Sequence, residues 1–242
     1  MDLPDNVIAG VMMKKIFGVV ALAILFPIQS YAAIMVSEVN PNGSGTTDAD
    51  WFELTNTGNS AIDITGWRMD DSGILDPPAA TFGPEVTSIL AGQSVVFLET
   101  GANFSTRVET FNTRWFGTTT SSVVFGSYNG SGVGLSSNGD AVNIFNSAGV
   151  LQANVSFGAN TIGSVGPPVI LGRTFDNAAG LNNTVITQLS AIGVNGAFQS
   201  FFGIDVGSPG TISAVPEPAS IVLMSMVACA GAFGTRFRKR VA

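Results

Sequence analysis

Carboxylates and hydroxyls carry nearly all the chemistry open to this chain. Its 242 residues include 17 Asp and Glu against 10 Lys and Arg, a single cysteine, Cys229, and no histidine. Without histidine the most common general base and transition-metal ligand is missing, and serine lacks its usual activator, so no catalytic residue is expected. Glu38 and Glu53 sit in stretches that read as strands, where each side chain points outward or pairs with a neighbour; as an acid–base couple they are weak candidates. Asp48, Asp50, Asp70 and Asp71 fall on loops that a sandwich can gather at one end. Hard oxygen ligands of this kind suit calcium, the one candidate cofactor, although the spacing does not match an EF-hand loop. Solvated loop carboxylates are the competing reading.

The surroundings of these groups narrow their use. Residues 33–214 hold 14 acidic residues, four arginines and no lysine. A surface of that sign is repelled by phosphate backbones and anionic lipid, which excludes nucleic acid as a partner of this part. One cysteine allows no disulfide within the chain, so burial of a core must stabilise it.

The two ends read as targeting segments and are set aside before the fold is considered. Lys14 and Lys15 precede an apolar run over residues 16–28, followed by Ser30, Ala32 and Ala33. This is the layout of a signal peptide over residues 1–32, cut by signal peptidase between Ala32 and Ala33 or just after Ala33; Met12 or Met13 would give a more ordinary start. A run of about 13 residues is too short to span a membrane comfortably. Residues 214–242 hold Pro216, Glu217 and Pro218, then an uncharged apolar stretch over 219–235, then Arg236, Arg238, Lys239 and Arg240. Seventeen residues at helical rise cover roughly 25 Å, enough for a thin bilayer, and the basic cluster holds the cytoplasmic side. Cys229 falls in mid-helix and reads as a structural thiol.

That three-part end resembles the PEP-CTERM sorting signal of Gram-negative bacteria that make exopolysaccharide. The resemblance implies that a membrane-embedded exosortase recognises Pro216, Glu217 and Pro218 and cleaves near them. It implies an inner-membrane intermediate and delivery to the outer surface or extracellular matrix. A Pro-Glu-Pro segment suits such recognition because neither proline donates a backbone hydrogen bond and the chain stays extended. A plain membrane anchor is the alternative.

Between the ends, residues 33–213 read as one all-β domain, with apolar bursts rich in Val, Ile, Phe and Thr separated by Gly, Asn, Ser and Pro. Strands are expected over 34–39, 50–56, 62–69, 94–99, 122–126, 141–145 and 151–156, and no long amphipathic helix is expected. Asn138-Gly139 reads as a hairpin signal. Trp51, Leu54, Ile62, Ile64 and Trp67 are expected between two sheets. For Phe198, Phe201 and Phe202, closing the last edge of the core is preferred over an exposed aromatic patch. The runs Ile34-Met35-Val36-Ser37-Glu38-Val39-Asn40-Pro41, Asp50-Trp51-Phe52-Glu53-Leu54-Thr55-Asn56 and Ile62-Asp63-Ile64-Thr65-Gly66-Trp67 are similar to the lamin tail domain. The similarity is good over 34–157 and looser over 170–212. It implies an immunoglobulin-like β-sandwich, flanked here by the signal helix and a transmembrane helix over 219–235. The expected function is a non-enzymatic structural or adhesion module at the cell surface. The alternative is a carbohydrate-binding module for exopolysaccharide, with or without calcium.

Overall fold

Strands arise where β-branched and aromatic residues alternate with short polar ones, because each pleat then offers one face to a core. In the computed structural model, which describes residues 34–41, 50–72, 80–100, 103–130, 132–159 and 166–211, the chain opens with β1 (Ile34–Asn40), β2 (Trp51–Asn56), β3 (Ile62–Asp63), β4 (Arg68–Asp70), β5 (Ala80–Thr81), β6 (Ser88–Ile89) and β7 (Ser94–Glu99). Helix α1 (Phe104–Phe116) follows, then β8 (Val124–Tyr128), β9 (Asp140–Phe145) and β10 (Leu151–Phe157). Four two-residue strands complete it: β11 (Phe175–Asp176), β12 (Thr184–Val185), β13 (Phe198–Gln199) and β14 (Val206–Gly207).

The first sheet has the order β11-β1-β2-β7-β8 and the second β12-β10-β9-β4-β5. Val36, Phe52, Leu54 and Phe97 of the first meet Met69, Val142, Ile144 and Val155 of the second in one buried cluster, which is the core of the sandwich. The architecture is mostly β and consistent with the immunoglobulin-like sandwich expected from the sequence. Two details differ. Residues 62–69 form two short strands, because Gly66 at φ 72° and the Trp67 N–H donating to Ile64 O turn the chain from a small β3–β6 ribbon into the second sheet. Asn138-Gly139 forms a turn ahead of β9, and the hairpin lies at residues 146–149 between β9 and β10. Gly139 instead serves a close approach, since a Cβ there would lie 2.9 Å from Phe157 O.

Helix α1 was not expected. It joins β7 to β8, which pair in parallel and so require a crossover. Phe104, Val108, Phe111 and Trp115 recur at helical spacing, and their stripe covers the outer face of the first sheet. Trp51 belongs to this second cluster, edge-on to Phe111 and Trp115, and not to the inter-sheet core. The pattern is masked by four intervening Thr and Asn residues with poor helix propensity and by the lack of a side-chain N-cap. Gly117, left-handed at φ 71°, ends the helix.

Among the described residues no helix is long and apolar enough to cross a membrane. The signal peptide, Ala32 and Ala33, the sorting motif Pro216, Glu217 and Pro218, the expected helix over 219–235 and the basic stop all lie outside the described residues.

Candidate functional site

Three places gather polar chemistry. The first is on the outer face of the first sheet, where Glu38 of β1 and Glu53 of β2 stand directly opposite each other, both fully buried. Like charges in that position repel, and removal from water disfavours both ionised forms. Burial accordingly pushes the Glu38 carboxyl up, against hydrogen bonds from Thr174 and Ser208. Burial and then the charge of Glu38 push Glu53 up. What makes the pair tolerable is a strap formed by residues 206–211. The Ser208 N–H donates to both Glu38 oxygens at 2.9 and 3.2 Å, and the Gly210 N–H donates to Glu53 Oε2 at 2.6 Å. The hydroxyls of Thr174 and Ser190 donate to Glu38, and that of Ser37 to Glu53 Oε1. Gly207 admits the strap, because a Cβ there would meet Glu38 Oε1 at 2.7 Å. This is a structural use of two acids that the sequence offered only as strand residues.

The second place is one end of the sandwich. Asp50 just precedes β2, Glu99 ends β7 beside Tyr128 of β8, Asp71 follows β4 and Asp140 opens β9. Burial, then the charges of Glu99 and Asp140, push Asp50 up to about 8. Burial also raises Asp71 and Asp140, each of which feels neighbouring aspartate charge. The Tyr128 hydroxyl, buried beside Glu99, Asp50 and Asp71, is raised as well and has no hydrogen-bond partner among the described residues. Of the four aspartates considered for calcium, Asp50, Asp70 and Asp71 are on this end, while Asp48 lies outside the described residues. Asp70 is buried and accepts the Ser72 N–H at 3.1 Å. The described acids form no group of three able to hold a metal ion. Glu99 and Asp140 were missed from sequence, since only strand register brings them beside Asp50.

The third place is the turn between β13 and β14. Phe198 packs against Trp115 and Phe116 and closes the second cluster, as preferred. Phe201 and Phe202 depart from that expectation: they are 66% and 57% exposed, edge-to-face to each other with ring centroids 5.5 Å apart. Phe202 borders a cleft of about 330 Å³ whose other wall is the outer face of α1, with Thr106, Glu109, Thr110, Thr113 and Arg114, closed by Thr119. The i, i+3, i+4, i+7 spacing of Thr106, Glu109, Thr110 and Thr113 is the signal that could have revealed this wall.

Two packed, mostly antiparallel sheets around one buried cluster are consistent with an immunoglobulin-like sandwich. The lamin tail domain family matches residues 27–159, more than half of the chain, and the chain belongs to that family. No curated protein matched it. The match ends just after β10, yet β11, β12 and the strap pack on the matched strands and complete the same body.

Proposed function

We propose that this chain is an exported, non-enzymatic surface or matrix protein of a Gram-negative bacterium. Signal peptidase removes the leader, an exosortase processes the PEP-CTERM tail after a membrane-inserted intermediate, and the lamin tail domain acts outside as a structural or adhesion module. The observation that carries this is the order Pro216-Glu217-Pro218, apolar stretch, Arg236 to Arg240 behind an acidic, lysine-free and histidine-free domain. Membership of a structural domain family supports the non-enzymatic part. The test is intact mass with cell fractionation. A mature chain beginning near Ala33, lacking everything after about Pro216 and found on the outer surface or in the medium, is the expected result. Retention of residues 236–242 would mean a plain anchor. A second reading, binding of exopolysaccharide, is favoured by one observation, the exposed pair Phe201 and Phe202.

A further inference from the structure

Two large rings held in water are costly, since burying each would contribute roughly 1.5–3 kcal/mol. The turn that carries Phe201 and Phe202 is nevertheless firmly built. Asp205, 1% exposed, pairs with Arg114 of α1 through Nε and Nη2, at 2.5 and 3.2 Å. The Phe201 N–H donates to Trp115 O at 3.1 Å, the Ser200 N–H to Asp205 O at 2.8 Å, and the Gly203 N–H to Ser200 O at 2.8 Å. Gln199 Nε2 also donates to Gly203 O. Phe201 lies against Gly117, where a Cβ would come within 2.6 Å of its ring. The exposure is therefore imposed by the fold and is not fraying of a loop.

The polarity of the cleft beside Phe202 selects a ligand. Thr110 donates its hydroxyl proton to Thr106 O at 2.8 Å and Thr113 donates to Glu109 O at 2.7 Å. Both oxygens then present lone pairs outward. With the exposed Glu109 carboxylate, this wall is rich in acceptors. The nearest guanidinium, Arg114, already faces the buried charge of Asp205. A wall of acceptors beside an aromatic face matches a molecule that offers many O–H donors and a C–H face. Excess negative charge on the domain disfavours an anionic one.

We propose that the cleft between α1 and the 200–205 turn binds a neutral saccharide, its ring stacked on Phe202 and its hydroxyls donating to Glu109, Thr110 and Thr113. This deepens the exopolysaccharide reading and rests on it. The full-length protein, purified in a detergent without a sugar headgroup, is titrated calorimetrically with cellohexaose, maltohexaose and a mannuronate hexamer. At least one neutral hexamer should bind, and at least tenfold tighter than the anionic one. Phe202→Ala should weaken binding tenfold or more, and Glu109→Gln threefold or more, with thermal midpoints unchanged. No heat from either neutral hexamer at millimolar concentration overturns the proposal, as does binding that Phe202→Ala leaves intact. A dimer in sedimentation that Phe202→Ala dissolves also overturns it, in favour of a second copy on this face. Because the titration uses purified protein, its failure leaves the export reading standing, while failure of the mass and fractionation test leaves the cleft untouched.

Discussion

The buried pair Glu38–Glu53 and the acidic end around Asp50 solve the same problem in opposite ways. Both crowd carboxylates together and remove them from water, and both push the acids up. At the pair, every carboxylate oxygen receives a donor, from the strap or from a neighbouring hydroxyl. At the end, Asp140 accepts the Ser136 and Ala141 N–H groups, but the Tyr128 hydroxyl has no hydrogen-bond partner among the described residues and Asp50, Glu99 and Asp140 share a field of one sign. The first arrangement uses burial to fasten a segment of chain. The second leaves repulsion standing, and it should behave as a weak point.

The largest expected effect comes from cutting the first arrangement. Glu38→Ala strips acceptors from the Ser208 N–H and from the Thr174 and Ser190 hydroxyls, all buried. A loss of about 3–5 kcal/mol should follow, read in urea unfolding. That corresponds to a thermal midpoint lowered by about 10 °C. A loss below about 1 kcal/mol would show that the strap does not depend on the pair.

Next in size is the pH response. Folding raises Glu38 from 4.5 to about 7 and Glu53 from 4.5 to about 8. Below pH 4.5 both folded and unfolded chains hold these protons, and the contribution to stability is complete. Between pH 4.5 and 8 the unfolded chain releases protons that the folded chain keeps, so stability falls as pH rises. The decline should amount to several kcal/mol from pH 5 to 8, comparable to the loss in Glu38→Ala, and Glu53→Gln should flatten it. A stability that increases across this window would contradict the assignment.

The smallest effect belongs to the acidic end and has the opposite sign. Asp50→Asn keeps an acceptor for the Leu135 N–H and removes repulsion with Glu99 and Asp140. At pH 9 the thermal midpoint should rise by about one or two degrees. A drop of the size seen for Glu38→Ala would mean that the two regions do not differ.

The core strands were legible in sequence because alternation is a local signal: residues 34–39, 50–56, 94–99 and 151–156 fall within one or two positions of β1, β2, β7 and β10. Helix α1 was not, since Thr and Asn residues dilute its aromatic stripe and its stability comes from packing on Trp51 and Phe125. Trp51 itself read as inter-sheet core because nothing in its strand announces a layer on the far side. The carboxylate pair was visible as two strand residues, but its partners, Thr174, Ser190, Ser208 and Gly210, lie more than 130 residues from one acid or the other. Likewise Phe202 meets its cleft through contacts such as Asp205 with Arg114, 91 positions apart, and the Phe201 N–H with Trp115 O. Long-range pairings of this kind have no periodicity to betray them.

The strap is bolted to the carboxylates of β1 and β2, inner strands of a five-stranded sheet, as well as to residues 172–174 just before the edge strand β11. A tug on residues beyond Thr211 is therefore delivered to the middle of the sheet, where several rungs must shear together, whereas a tail hung from an edge strand would be peeled off one rung at a time. Force applied at Thr211 is thus resisted by shear across inner strands and not by the peeling of one.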